Sequence, residues 1–275
     1  MRASDAACHS GVGAGVAASG MGGQYIEPMP SPDAQFTALH DPSAPSTRPR
    51  LPGLCAVCRG WALRPVCTDC VARFAAAVPR CRRCALRVAL PGQTCGACQA
   101  SPPPFDDCVA GCDYAFPWHR LIAELKFHGR VELAATLAER LLEAIGREAR
   151  PLPHCVLPVP LAPRRLAERG YNQAWELARR IARRLGCRAD AHSLLRPLDT
   201  AHQAELTLAQ RQANVERAFV VRLRRGWPLA GQHLALVDDV MTSGATLRAA
   251  AQALRRAGAA RVDAWVVART PSSSD

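Results

Sequence analysis

The amino-acid sequence predicts an α/β fold, a mostly parallel sheet with helices on both faces, preceded by a small cysteine-rich domain. Three observations predict it. Beyond about residue 105, short apolar segments of strand type alternate with longer segments of helical period, as crossover-connected parallel strands require. Four C-x-x-C pairs crowd the stretch from Cys55 to Cys98. An apolar run, Leu234-Ala235-Leu236-Val237, ends in Asp238 and Asp239, and a small hydroxyl-bearing turn then enters another helical segment.

The elements follow in chain order. Residues 1–50 hold a Gly-rich run and then a Pro/Ser-rich one with no sustained apolar period, so an unstructured tail is expected there. Residues 51–104 are dense in cysteine and end in the stiff Ser101-Pro102-Pro103-Pro104. Val131 to Glu148 reads as a helix with Leu133, Leu137, Leu141 and Leu142 on one stripe. Cys155 to Val159 is a short apolar strand stopped by Pro160. Asn172 to Leu185 is a second helix, apolar at Ala174, Leu177, Ala178, Ile181 and Leu185, with Asn172 as its N-cap and Gly186 as its C-cap. Ala218 to Val221 and Leu234 to Val237 read as strands, Ala245 to Ala257 as a helix closed by Gly258, and Val262 to Val267 as a final strand.

Composition narrows the function classes. A hydrophobic content of 49% excludes a wholly disordered chain. No run approaches the roughly 20 apolar residues that cross a bilayer, so no membrane insertion is expected. The N-terminus offers only Arg2 as a basic residue before an interrupted Gly-rich run, which is not a signal peptide; a cytoplasmic setting is expected. The formal charge of +12 favours anionic partners without choosing among them. Of the 35 Lys+Arg residues only Lys126 is a lysine. Where arginine has replaced lysine elsewhere, a retained compact ammonium points to a phosphate met as a point charge.

The cysteine spacing is Cys55-x2-Cys58, Cys67-x2-Cys70, Cys81-x2-Cys84 and Cys95-x2-Cys98. Each pair makes a knuckle that presents two thiolates, and two knuckles complete a tetrahedral S4 site. Softness and geometry suit Zn2+ or an iron–sulfur centre, and the absence of compact ferredoxin runs favours structural zinc. Sequential and cross-braced pairings both satisfy the spacing. Cys8, Cys108, Cys112, Cys155 and Cys187 fit no such pattern and read as ordinary thiols.

Four segments carry the remaining chemistry. In the first, Asp238 and Asp239 stand at the carboxyl end of a central strand, where parallel sheets bind ligands, and adjacent carboxylates there accept hydrogen bonds from vicinal ribose hydroxyls. Thr242-Ser243-Gly244-Ala245-Thr246 then offers backbone N–H groups, hydroxyls and a helix N-terminus to an anion, with Gly244 allowing close approach. The second is Leu157-Pro158-Val159-Pro160-Leu161 followed by Arg164, Arg165, Arg169, Gly170, Tyr171, Asn172 and Gln173, a strand end, a stiff turn and a basic run suited to clamping a diphosphate. The third is the polar set Thr200, Gln203, Arg211 and Asn214. The fourth is Glu124-Leu125-Lys126-Phe127, which contains the sole lysine.

The LALVDDVMTSGAT segment resembles the signature by which type I phosphoribosyltransferases bind PRPP, 5-phosphoribosyl 1-diphosphate. Together with the cysteine pairs, the ELKF, PVPL…RGYNQ and T..Q…R..N segments and their order, residues 53–270 resemble the ComF family. The resemblance implies a double zinc ribbon over 51–104 and a phosphoribosyltransferase-like domain over 105–275. It implies that Asp238 and Asp239 hold the ribose 2′ and 3′ hydroxyls and that Thr242 to Thr246 hold the 5-phosphate. Val159, Pro160 and Leu161 join the PRPP site, and Lys126, Arg164, Arg165 and Arg169 act on the diphosphate side with Mg2+. It further implies a link to competence and DNA uptake or to nucleotide metabolism. Two other functions suit the same residues: a single-stranded-DNA-binding factor acting with DNA-uptake proteins, and a PRPP-sensing regulator without turnover. The aromatic content of 5% leaves few stacking platforms for the former.

Overall fold

A five-stranded parallel sheet forms the centre of the computed structural model, which describes residues 51–148, 150–197, 218–223 and 228–271. The cysteine-rich segment contributes β1 (Gly53–Leu54), β2 (Trp61–Ala62), α1 (Thr68–Phe74) and α2 (Gly96–Ala100). There follow β3 (Asp107–Asp113), α3 (Trp118–Phe127), α4 (Leu133–Arg147), β4 (Cys155–Pro158), α5 (Pro163–Arg169), α6 (Gln173–Leu185) and β5 (Arg188–Ala189). The last elements are β6 (Leu194–Leu195), β7 (Val220–Val221), β8 (His233–Met241), α7 (Ala245–Arg256) and β9 (Arg261–Arg269).

The sheet order is β3-β9-β8-β4-β5, every neighbour parallel. The two central strands are apolar almost throughout because both faces are covered. Leu157, Leu234, Leu236, Val262, Ala264 and Val266 pack on one face with Leu247, Ala250 and Leu254 of α7. Val156, Ala235, Val237, Trp265 and Val267 pack on the other, beneath Leu121, Ile122 and Leu125 of α3, Leu137 and Leu141 of α4, and Leu177 and Ile181 of α6. Each fully buried leucine of these stripes contributes about 1.5–3 kcal/mol of transfer free energy.

Connectivity then decides where a ligand fits. After β4 the chain turns through α5 and α6 to β5 on one side; after β8 it turns through α7 to β9 on the other. The neighbours β4 and β8 therefore form a topological switch point, the place in an open parallel sheet where ligands bind at the carboxyl edge.

The caps expected for α6 form: Asn172 Oδ1 accepts from the Ala174 amide at 2.9 Å, and Gly186 closes the helix at φ 68°. Two details differ from the sequence expectation. The central strand does not stop at Val237 but runs to Met241, so the acidic pair lies inside it and not in a turn. Pairing with β9 drives this: Asp238 stands opposite Val266 and Val240 opposite Ala268. The segment near Ala218 does not join the parallel sheet, since β7 pairs antiparallel with β6 instead. The expected tail over 1–50 and the set Thr200, Gln203, Arg211 and Asn214 lie outside the described residues.

Candidate functional site at the switch point

The acidic pair is positioned by strand alternation. Because Asp238 and Asp239 are consecutive in β8, their side chains leave opposite faces of the strand. Each carboxylate also accepts from the next amide: Asp239 N donates to Asp238 Oδ1 at 2.9 Å and Val240 N to Asp239 Oδ1 at 2.7 Å. Asp239 is only 3% exposed, and Lys126 Nζ lies 2.8 Å from its Oδ2. The sole lysine thus serves as counter-ion to a buried member of the acidic pair. Burial, then the adjacent Asp239 charge, push the Asp238 carboxyl well above the usual carboxylate range, against the opposing pull of the Asp239 amide and Lys126.

Lys126 reaches this point because α3 is anchored at its other end. Trp118, Leu121, Ile122 and Leu125 are buried, and Trp118 Nε1 donates to the Phe74 carbonyl at 2.6 Å. On the far side of Lys126 a cleft of about 480 Å³ opens, lined by Lys126, Phe127, Leu161, Arg165, Glu168, Arg169, Tyr171 and Gln173 among others. The Arg169 guanidinium lies 5.4 Å from the centre of the Phe127 ring and donates to Gln173 Oε1.

The remainder of the RGYNQ run shapes this cleft. Gly170 ends α5 at φ 79°, a left-handed position that admits glycine without strain. Tyr171 Oη donates to the Leu125 carbonyl, and Asn172 Nδ2 to the Val159 carbonyl at 3.1 Å. These bonds tie the loop after β4 and the C-terminal end of α3 to the start of α6. Val159 is buried, its amide donating to the Val237 carbonyl at 2.8 Å, and Pro160 is half-buried.

The loop expected from the sequence to receive an anion follows β8. Thr242, Ser243 and Ala245 are exposed, Thr246 is half-buried and Gly244 is buried. Gly244 sits at φ 79°, and a Cβ there would stand 2.5 Å from the Met241 Cε atom. Ser243 Oγ accepts from the Ala245 amide at 3.4 Å as α7 begins.

Of the residues singled out in the sequence, the structure brings Lys126, Arg165, Arg169 and Leu161 to one cleft and joins Lys126 to Asp239. Thr242 to Thr246 stand at the end of the adjacent strand. Arg164 does not line that cleft itself, but its Nε lies 2.8 Å from Glu168, which does. One residue that sequence reasoning passed over is Arg269, which closes β9 directly beneath the anion loop. An arginine ending a nearly continuous apolar strand was its signal.

The cysteines form two groups in sequential pairing, Cys55/Cys58/Cys67/Cys70 and Cys81/Cys84/Cys95/Cys98, with the Sγ atoms of each group within 4.8 Å of one another. The Cys58–Cys67 and Cys84–Cys95 sulfurs are 3.7 and 3.5 Å apart, close to the edge of a tetrahedron with metal–sulfur bonds of about 2.3 Å. Both groups could hold a metal ion by this geometry. Burial acts to raise the Cys55 thiol, but amide donors from Cys67, Cys58 and Val57 outweigh it and bring the group to about 6.

Comparison with known proteins agrees with this architecture. A family model described as a phosphoribosyl transferase domain matches residues 172–275. The DNA utilization protein YhgH of Salmonella typhi is 38% identical over 230 residues, which is 80% of this chain and 98% of that protein. The chain belongs to the ComF family. Another relative is Competence protein F of Haemophilus influenzae (strain ATCC 51907 / DSM 11121 / KW20 / Rd), 32% identical over 223 residues, covering 78% of this chain and 96% of that protein. Competence protein ComFC of Bacillus subtilis (strain 168) is 30% identical over 151 residues, 54% of this chain and 58% of that protein. Among solved structures, glutamine phosphoribosylpyrophosphate amidotransferase from B. subtilis is 20% identical, with a TM-score of 0.33, over 48% of this chain and 25% of that one. The phosphoribosyl transferase match covers the acidic strand and anion loop but not α3, so in this ComF-family chain Lys126 lies outside it. No helix among the described residues is long and apolar enough to cross a membrane.

Proposed function

We infer that this ComF-family protein binds PRPP or a closely similar phosphoribosyl ligand at the switch point and acts as a phosphoribosyltransferase-like protein. The observation that carries the reading is the ion pair of Lys126 with Asp239, 2.8 Å long, which joins the acidic strand to the arginine-lined cleft. In this reading Asp238 and Asp239 orient the ribose hydroxyls, Thr242 to Thr246 receive the 5-phosphate, and Lys126, Arg165 and Arg169 face the diphosphate. Val159, Pro160 and Leu161 shape the passage between sugar and diphosphate. The buried Asp239 carboxylate, met by a single ammonium, offers hard oxygens of the kind Mg2+ takes, with Asp238 beside it. When bound, Mg2+ would neutralise charge on the ligand's diphosphate. Departure of diphosphate from C1 leaves an oxocarbenium-like centre, and the cationic cleft stabilises the leaving group.

The two cysteine groups hold structural Zn2+ in this proposal, supported by four soft ligands per group and by backbone amides donating to the Cys55, Cys67 and Cys81 sulfurs. The names of the relatives support a role in DNA uptake or use. They also favour a second reading, single-stranded DNA as a partner, consistent with the charge of +12.

Calorimetric titration with PRPP and Mg2+, followed by a diphosphate-release screen across acceptors, tests the proposal. Wild-type protein should bind, and Asp238→Asn/Asp239→Asn protein should not. Equal affinity in the two would falsify the site. Binding without diphosphate release points to a sensor, and salt-dependent DNA binding that survives the acidic substitutions points to the second reading.

A further inference from the structure

Arg269 is 8% exposed, yet among the described residues its hydrogen-bond partners are all carbonyl oxygens and none is a carboxylate. Its Nη1 donates to Met241 O at 2.9 Å, Thr242 O at 2.5 Å and Thr270 O at 2.8 Å. Its Nε donates in the other direction, to Cys84 O at 2.9 Å. Cys84 belongs to the second cysteine group, and Met241 and Thr242 lead into the anion loop. One side chain therefore spans from a metal knuckle to the floor of the loop.

Two consequences follow from elementary geometry and charge. Across a planar trans peptide the C=O and the next N–H point in opposite directions. The Met241 carbonyl accepts from the Thr270 amide at 3.0 Å as well as from Arg269, and the Thr242 carbonyl accepts from Arg269, so the Thr242 and Ser243 amides point away from Arg269, as an anion cradle needs. In addition, a guanidinium buried without a carboxylate leaves a net positive charge under the loop, where low polarisability lets it act over several ångströms. The carboxylate nearest in the strand register, Asp113, is taken by Arg80 and Arg87.

We propose that Arg269 is the positioning residue of the anion loop and couples it to the cysteine group Cys81/Cys84/Cys95/Cys98, so that metal in that group and a phosphate monoester in the loop strengthen each other. The inference rests on the phosphoribosyl reading above and adds to it a regulated loop. Coupling of this kind is reciprocal: if the metal tightens phosphate binding by some factor, phosphate must tighten equilibrium metal binding by the same factor.

The test uses the full-length zinc-loaded chain and ribose 5-phosphate as probe. Affinity is measured by calorimetry, and the hold on zinc by equilibrium competition with a chromophoric chelator, with and without the probe. In wild-type protein the probe should protect one of two zinc equivalents from the chelator at equilibrium. Arg269→Met should weaken binding by about tenfold and abolish that protection, within the range of coupling between linked sites. Arg269→Lys, the safer variant for folding, keeps the charge but cannot reach Cys84 and the loop together; it should bind about threefold more weakly and also lose the protection. Wild-type affinity and wild-type zinc protection in Arg269→Lys would overturn the inference while leaving the phosphoribosyl reading intact. A wild-type chain indifferent to ribose 5-phosphate and to PRPP would instead overturn the phosphoribosyl reading, and this inference with it.

Discussion

The two cysteine groups share one local motif and differ in nearly everything that surrounds it. The first, Cys55/Cys58/Cys67/Cys70, packs on the face of the sheet covered by α3, α4 and α6, and its Cys58 is exposed. It meets the rest of the chain through the Trp118–Phe74 hydrogen bond and an exposed Arg64–Glu139 pair. The second, Cys81/Cys84/Cys95/Cys98, packs on the opposite face with α7, with three of its cysteines buried. Its knuckles are fastened by Arg82 to the Asp107 carboxylate, by Arg83 to the Asp106 and Pro103 carbonyls, and by Arg269 to Cys84 O. A cysteine knuckle takes its role from what it braces. The first steadies the helix that carries Lys126; the second is tied through Arg269 to the loop after β8.

The two groups should differ most in their response to losing a cysteine. Cys84→Ser should release one zinc equivalent and lower stability by about 4 kcal/mol or more, much of the margin of a domain of this size. Cys58→Ser should also release one equivalent but cost about 2 kcal/mol, roughly 4–8 °C in Tm. Metal analysis and thermal melting of the two variants check the order, and a larger loss for Cys58→Ser would reverse the comparison.

The fastening of the second group comes next. Burial acts to raise Asp107, but Arg82, Arg150 and Arg261 outweigh it and hold the carboxyl below the usual carboxylate range. A lowered folded value means that its stabilisation is complete above the unfolded value, about pH 4, and is lost as pH falls through the folded one. Asp107→Asn should therefore reduce stability at neutral pH by about 2–3 kcal/mol, a buried ion cluster having lost its anion. It should also flatten the acid limb of the stability profile. Denaturant melts from pH 2 to 7 measure both effects.

On the first group's side, Lys126→Met leaves Asp239 buried without its ammonium. A cost of about 1–2 kcal/mol is expected, below the full value for a buried pair because the lysine is partly exposed. PRPP affinity should fall at least tenfold, read by calorimetry. The smallest effect belongs to Trp118→Phe, which removes one hydrogen bond to Phe74 O and should cost about 1 kcal/mol. PRPP titration of that variant sharpens the comparison: a weakened affinity shows that the anchoring of α3 reaches Lys126.

Much of this was legible beforehand because the signals were local. The apolar stripe at Leu137 and Leu141 and the Asn172 and Gly186 caps each depend on a few neighbouring residues, and each formed where the pattern placed it. Strand ends were less legible. Nothing between Val237 and Met241 reveals that β9 continues alongside, so a strand carrying two aspartates read as a turn. Arg164 and Arg165 look alike in sequence, yet only a helix of known phase puts Arg165 in the cleft and Arg164 against Glu168.

The α/β class, the four C-x-x-C pairs and the run of two aspartates followed by a small hydroxyl-bearing loop were readable in the sequence, since periodicity and residue spacing are short-range properties. Only the tertiary structure decided that the knuckles group sequentially and settle on opposite faces of one sheet. It alone gave Lys126 to Asp239 and set Arg269 between Cys84 and the loop, across separations of 113 and 185 residues. Such contacts arise from strand order and crossover direction, and the linear chain carries no local mark of either.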